Sequence, residues 1–224
     1  MKKILISKLA SKNILDNLTE YGYTPYTFER ADGFISELGY HADVSVGVTP
    51  NGVITSKSFF EKNRAFFEEK NVVISKSTPS EGYPNDVVFN GAFVGETLIA
   101  SKYICSEMRE RAKKLITVKQ GYSKCSCAVV GESVITADNG IIQKLKENKI
   151  DFLKIEEGKI ALNGFSCGFI GGASFFDNNI LFTFGDVKKH ENGKDIIDFL
   201  KNINVNVISL GKNELYDLGG AIIL

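Results

Sequence analysis

One recurring pattern limits what this chain can fold into: an apolar pair followed by a small residue. It occurs as "LIS" at Leu5–Ser7, "VIT" at Val53–Thr55, "LIA" at Leu98–Ala100, "VIT" again at Val134–Thr136 and "LFT" at Leu181–Thr183. Four of these follow another β-rich stretch and a turn, in "DVSVGVTPNGVITS", "DVVFNGAFVGETLIAS", "CAVVGESVITA" and "GGASFFDNNILFTF". Each such stretch reads as a hairpin. A helical pattern then follows every one: "SKNILDNLTEYG", "KSFFEKNRAFFEEK", "KYICSEMRERAKK", "NGIIQKLKENK" and "GKDIIDFLKNIN". A further strand follows each helix. The unit is strand, strand, helix, strand, repeated about every 45 residues, a period typical of closed repeat architectures.

The two ends fit this scheme only when combined. "KKILIS" begins at the second strand of a unit, and "DLGGAIIL" supplies a leading strand alone. Together they make a fifth unit, so the last strand is expected beside the first. That pairing would cover an apolar edge that otherwise invites aggregation. Residues 1–224 read as a single α/β domain.

Lys+Arg and Asp+Glu both number 27, so no broad basic face is expected and duplex nucleic acid is not an expected partner. The opening "MKKILISKLASKN" is broken by Lys8 and Lys12 and does not read as a signal peptide. No apolar run approaches a membrane span. The expectation is a cytoplasmic protein with no membrane partner. Its four cysteines, Cys105, Cys125, Cys127 and Cys167, then read as free thiols. Cys105 and Cys127 are expected in the core, and Cys167 is not assigned.

Several stretches resemble a known superfamily. "PNDVVFNGAFVGETLIAS", Pro84–Ser101, is similar to the Arg-Asp-Pro strand of the guanidine deiminases, with Asn85 in place of Arg. "DLGGAIIL" resembles their terminal Gly-Gly strand. Five units closed by the termini resemble the pentein fold of the guanidino-group modifying enzymes. "GYHAD", "GYSKCSCAVVGESVITAD" and "GFIGGAS" look like an uncharacterised bacterial subgroup of it. The resemblance implies a five-bladed β/α-propeller whose leading strands line a central channel holding a small-molecule ligand, with no cofactor. It also implies a chemistry. Carboxylates bind the planar guanidinium, a thiolate attacks its central carbon, and a His moves protons.

Two parts of that machinery are missing. The family nucleophile falls at Leu224, and the fourth leading strand, "GFIGGASFF", carries no His. Asp86 remains as a guanidinium-binding carboxylate. A rebuilt site would use Cys125 as nucleophile and His41 for proton transfer. Asp43, Asn85, Asp86, Lys124, Gly171, Gly172, Ser174 and Asp217 would bind substrate. Lys124 is expected to lower the pKa of Cys125. Asp43 and Asp86 lie 43 residues apart and are expected at the same point of successive units. Structural readings stand beside these: Cys125 as a buried filler, His41 as a loop residue fixed by Asp43, and Gly171-Gly172 as a packing point. His190, in "KKHENGKD", is expected on the surface.

His41, Asp43, Cys125 and Cys127 are zinc-ligand types, but no pair has a diagnostic spacing, so a metal site is a third, weaker reading and no metal ligand is assigned. "GFIGGAS" lacks the context of a dinucleotide fingerprint. Two functions follow. One is a thiol-dependent hydrolase or transferase acting on a guanidine or amidine. The other is a non-catalytic pentein that binds a small molecule or a macromolecule.

Overall fold

The five expected units are five three-stranded sheets in a computed structural model, which describes residues 1–67 and 71–224. The first sheet holds β1 (Lys2–Ser7) and β2 (Tyr23–Phe28). The second holds β3 (Val46–Thr49), β4 (Gly52–Ser56) and β5 (Val72–Ser75). The third holds β6 (Ala92–Val94), β7 (Thr97–Ala100) and β8 (Lys114–Thr117). The fourth holds β9 (Ala128–Val130), β10 (Ser133–Thr136) and β11 (Phe152–Lys154). After the short β12 (Ile160–Ala161), the fifth holds β13 (Ser174–Asp177), β14 (Ile180–Thr183) and β15 (Asn206–Ser209). The chain ends with β16 (Leu215–Tyr216) and β17 (Ala221–Ile223).

In every three-stranded sheet the middle strand runs antiparallel to the leading strand and parallel to the third. Tight turns make the hairpins possible. Asn178 and Asn179 both adopt positive φ, the requirement of a type I′ turn. The leading strand of the first sheet is β17, paired with β1 in the register Ile4↔Ile223, Leu5↔Ile222 and Ile6↔Ala221. The expected meeting of the two chain ends is therefore present. Leu5 and Ile222 are buried in one cluster with Phe28, Val46, Val53 and Phe66, which joins the first two sheets. The parallel pair β12–β16 was not expected.

Helices Lys12–Glu20, Asn139–Glu147 and Gly193–Asn202 follow the apolar periodicity. Ser11 and Asp138 cap the first two by accepting the N–H groups of Ile14 and Ile141. The second expected helix is two pieces, Lys57–Lys62 and Arg64–Phe67, and its last residues lie outside the described ones. The third is corrected to a single turn, Ser106–Arg109. Ile104 and Cys105 are drawn into the core, with the Cys105 N–H donating to Val88 O at 2.9 Å. Little chain then remains before β8. His190 is also corrected. It is buried, with Nδ1 accepting from the Asn192 N–H at 3.1 Å, and burial lowers its pKa. Among the described residues no helix is long and apolar enough to cross a membrane.

Candidate active site

The sheets share a register that reveals how the polar residues are placed. Ile6, Ile54, Ile99, Ile135 and Phe182 on the middle strands pair with Ala221, Gly47, Ala92, Ala128 and Phe175 on the leading strands. Four residues before those partners stand Asp217, Asp43, Val88, Lys124 and Gly171. Cys125 and Gly172 are one step closer, and Asn90, Ser126 and Gly219 two steps closer. Four of the five units therefore deliver a polar residue just ahead of the leading strand, and the unit of β13 delivers Gly171 and Gly172 instead. One-turn helices at Ala42–Ser45 and Ser123–Ser126 aim Asp43 and Cys125 inward. Asp86 does not share this frame. It lies six residues before Ala92, because the unit of β6 carries two further residues there. The structural counterpart of Asp43 is Asp217, not Asp86.

At the centre, Cys125 Sγ donates to Asp43 Oδ2 at 3.0 Å. Asn90, wholly buried, organises both residues. Its Nδ2 donates to Cys125 Sγ at 3.1 Å and to the Asp43 carbonyl at 3.2 Å. Its Oδ1 accepts the N–H groups of Lys124 at 2.8 Å and Cys125 at 3.1 Å. His41, Asp43 and Cys125 each place a heteroatom within 4.8 Å of the others. His41 Nδ1 lies 3.8 Å from Asp217 Oδ1. Asp217 is held in turn by the N–H groups of Phe169 at 2.8 Å and Gly219 at 2.9 Å. Glycines permit this closeness: a Cβ on Gly219 would collide with His41, and one on Gly172 with the Asp217 carboxylate.

Burial pushes the Cys125 thiol well above its ordinary pKa, and the charges of Asp43 and Asp217 add to the effect. The expected activation by Lys124 is corrected. Its Nζ turns away to Gly171 O at 3.3 Å, and its charge acts on Cys127 instead. Burial nonetheless pushes the Cys127 thiol up to about 12. Burial also raises Asp217, with His41 opposing and Asp43 reinforcing. His41 Nδ1, Asp43 Oδ1, Ser45 Oγ, Asp86 Oδ1 and Ser126 Oγ are buried with no hydrogen-bond partner among the described residues. Buried polar atoms are normally paired, and of these His41 and Asp43 belong to the cluster around Cys125.

The other expected site residues divide. Asp86 accepts from the Tyr122 hydroxyl at 2.7 Å, and the Tyr122 ring stacks on Phe169 with centroids 6.3 Å apart. Asn85 is exposed on its turn and makes no side-chain bond to the cluster. Lys124, Gly171 and Ser174 line a cavity of about 370 Å³ on the strand side, bounded by β3, β6, β9, β13 and β17. Leu224, where the sequence resemblance leads one to expect the nucleophile, packs against the apolar cluster of Leu5 and Ile222. His41, Asp43 and Cys125 are close enough to share one ion, and their types suit zinc. Cys127 is outside that set, in an apolar cluster with Ala92 and Val134. Asn90 was missed by sequence reasoning. Its only signal is that it stands at the register position Gly219 and Ser126 occupy in other units.

A family model described as a family of unknown function, DUF6873, matches residues 5–222. The chain belongs to that family. Among curated proteins no sequence match is found. Solved structures similar to this DUF6873 chain are pentein-superfamily enzymes. One is a dimethylarginine dimethylaminohydrolase from Pseudomonas aeruginosa, 11% identical, with a TM-score of 0.57 over 100% of this chain and 99% of that one. Another is an agmatine deiminase from C. jejuni, 12% identical, with a TM-score of 0.51 over 90% and 74%. A third is an amidinotransferase of the saxitoxin pathway from Microseira wollei, 9% identical, with a TM-score of 0.55 over 94% and 88%. At such identities the likeness carries the fold and not the reaction.

Proposed function

We propose that this DUF6873 protein is a thiol-dependent hydrolase or transferase of a guanidine or amidine. The observation that carries this is the Cys125–Asp43 contact of 3.0 Å with His41 beside it. In this reading a guanidinium sits between Asp43 and Asp217, whose paired carboxylates suit a planar cation. Its charge offsets the field that holds the Cys125 proton in place. The thiol proton passes to Asp43 as sulfur bonds to the central carbon. His41 protonates the departing amine, and the carbon–nitrogen bond breaks to leave an amidino thioether. Water or an acceptor amine then attacks that carbon, with His41 taking its proton; the carbon–sulfur bond breaks, and Asp43 returns its proton to the departing sulfur, which restores the thiol.

The same reading takes the five sheets as blades of one closed pentein ring, residues 1–224 as one domain, and the chain as one of an uncharacterised bacterial subgroup. The ligand is a small molecule in the central channel of a cytoplasmic protein, with neither duplex nucleic acid nor a membrane as partner.

A second reading, a binding module without turnover, is favoured by the burial and raised pKa of Cys125 and by Leu224 at the family nucleophile position. The test is acid-quenched mass spectrometry of the protein mixed with agmatine, methylated arginines and simple amidines. A mass increase that maps to Cys125 and vanishes in Cys125→Ser supports catalysis. Saturable binding without any adduct or released amine supports the second reading. Absence of both removes the site as a guanidine pocket.

A further inference from the structure

The cavity of about 370 Å³ on the strand side of the cluster has a lining unlike the thiol site. Val48, Phe93, Val129, Phe176 and Ile222 supply apolar walls from the five leading strands, and Lys124 supplies a cation. Gly171 and Gly220, packed at the neck, let the Lys124 side chain cross: Nζ lies 3.6 Å from where a Gly220 Cβ would stand. That ammonium spends one of its three donors on Gly171 O, at 3.3 Å. Among the described residues no carboxylate lies within ion-pair distance of it. Asp177, the acidic residue of the lining, is already engaged by Lys2 Nζ at 2.8 Å and by the Tyr23 hydroxyl at 2.7 Å. A single partly buried cation with free donors, at the end of an apolar funnel, is the complement of an amphipathic monoanion. The volume stands near the low end of the range of about 300–1,000 Å³ typical of small-molecule sites.

We infer that this cavity binds a small organic carboxylate with an apolar body, its carboxylate on Lys124 Nζ and its body between Val129 and Ile222. The lining of this cavity does not include Cys125, His41 or Asp43, so the inference does not depend on the reading of Cys125.

The test is calorimetric titration of the full chain with octanoate and, as uncharged control, octan-1-ol. Octanoate is expected to bind more tightly than the alcohol by about tenfold, the difference one charge-assisted hydrogen bond makes. Lys124→Met should remove that difference and Lys124→Arg should keep it. Val48→Asp, at an exposed position of the wall, should weaken octanoate and spare the alcohol. This variant keeps the test decisive should Lys124→Met fail to fold. Equal affinities for acid and alcohol would overturn the inference. So would octanoate binding unmoved by Lys124→Met or by Val48→Asp.

Discussion

The Cys125 thiol donates to Asp43 Oδ2 across 3.0 Å, so the chemistry of the sulfur is governed by a carboxylate from another unit. Burial and the negative charges of Asp43 and Asp217 all disfavour the thiolate. Replacing Asp43 by Asn removes one charge and should move the titration of Cys125 down, toward the ordinary thiol range. The measurement is the iodoacetamide alkylation rate of each cysteine against pH, read by peptide mass spectrometry. In the native protein Cys167, which is half-exposed, should react before Cys125. In Asp43→Asn, Cys125 should react faster at every pH below its titration. An unchanged rate–pH curve would separate Asp43 from the thiol.

Asn90 carries four hydrogen bonds, three of them buried and the fourth, from the Lys124 N–H, partly buried. Asn90→Ala leaves the Lys124 and Cys125 N–H groups and the Asp43 carbonyl without a partner. The expected cost is roughly 2–4 kcal/mol of folding stability, read from urea denaturation. A loss well under 1 kcal/mol would mean that the side chain is incidental to the site.

The repeat, the pairing of the chain ends and the joint placement of His41, Asp43 and Cys125 were legible because alternation, turn residues and apolar spacing are local signals. Register was not. A spacing of 43 residues suggested that Asp43 and Asp86 are equivalent, but two further residues ahead of β6 shift Asp86 out of frame and bring Asn90 in. Lys124 was read as a neighbour of Cys125 because adjacent residues are close in sequence. In a one-turn helix their side chains diverge, and the ammonium points to Gly171 O. His190 shows the same limit, since a charged sequence context says nothing about which member of the turn folds inward.

Glu107 ties the end of β5 to the one-turn helix Ser106–Arg109. Burial would raise its pKa, but the Lys76 N–H at 2.9 Å and the Ser75 hydroxyl at 3.0 Å hold it down to about 2. A depressed carboxyl pKa stabilises the fold above its unfolded value and loses that contribution as pH falls through the folded one. The advantage of the native protein over Glu107→Gln should therefore be constant above about pH 4.5 and shrink between there and about pH 2. Chemical denaturation of both proteins across that interval measures it. A gap independent of pH would show that the hydrogen bonds do not require the charge.

Gly219 brings the start of β17 against His41. Its φ of +73° is strained for any residue with a Cβ, and its carbonyl accepts the Asp43 N–H at 3.1 Å. A methyl group there meets both Cα and Cβ of His41, so backbone must move and not merely a flexible side-chain tip. The Gly219 N–H also donates to Asp217 Oδ1, so the same movement displaces the carboxylate facing His41 Nδ1. Gly219→Ala should cost roughly 2–4 kcal/mol from strain and overpacking together. It should also lower the pH at which Cys125 alkylates, because Asp217 would be drawn away from the thiol. Gly95→Ala is the control. That hairpin glycine also has positive φ but nothing within 4 Å of the added carbon. It should lose stability from backbone strain alone and leave the alkylation profile of Cys125 in place. Identical effects of the two substitutions on that profile would mean that Gly219 sets a turn and not the geometry of the site.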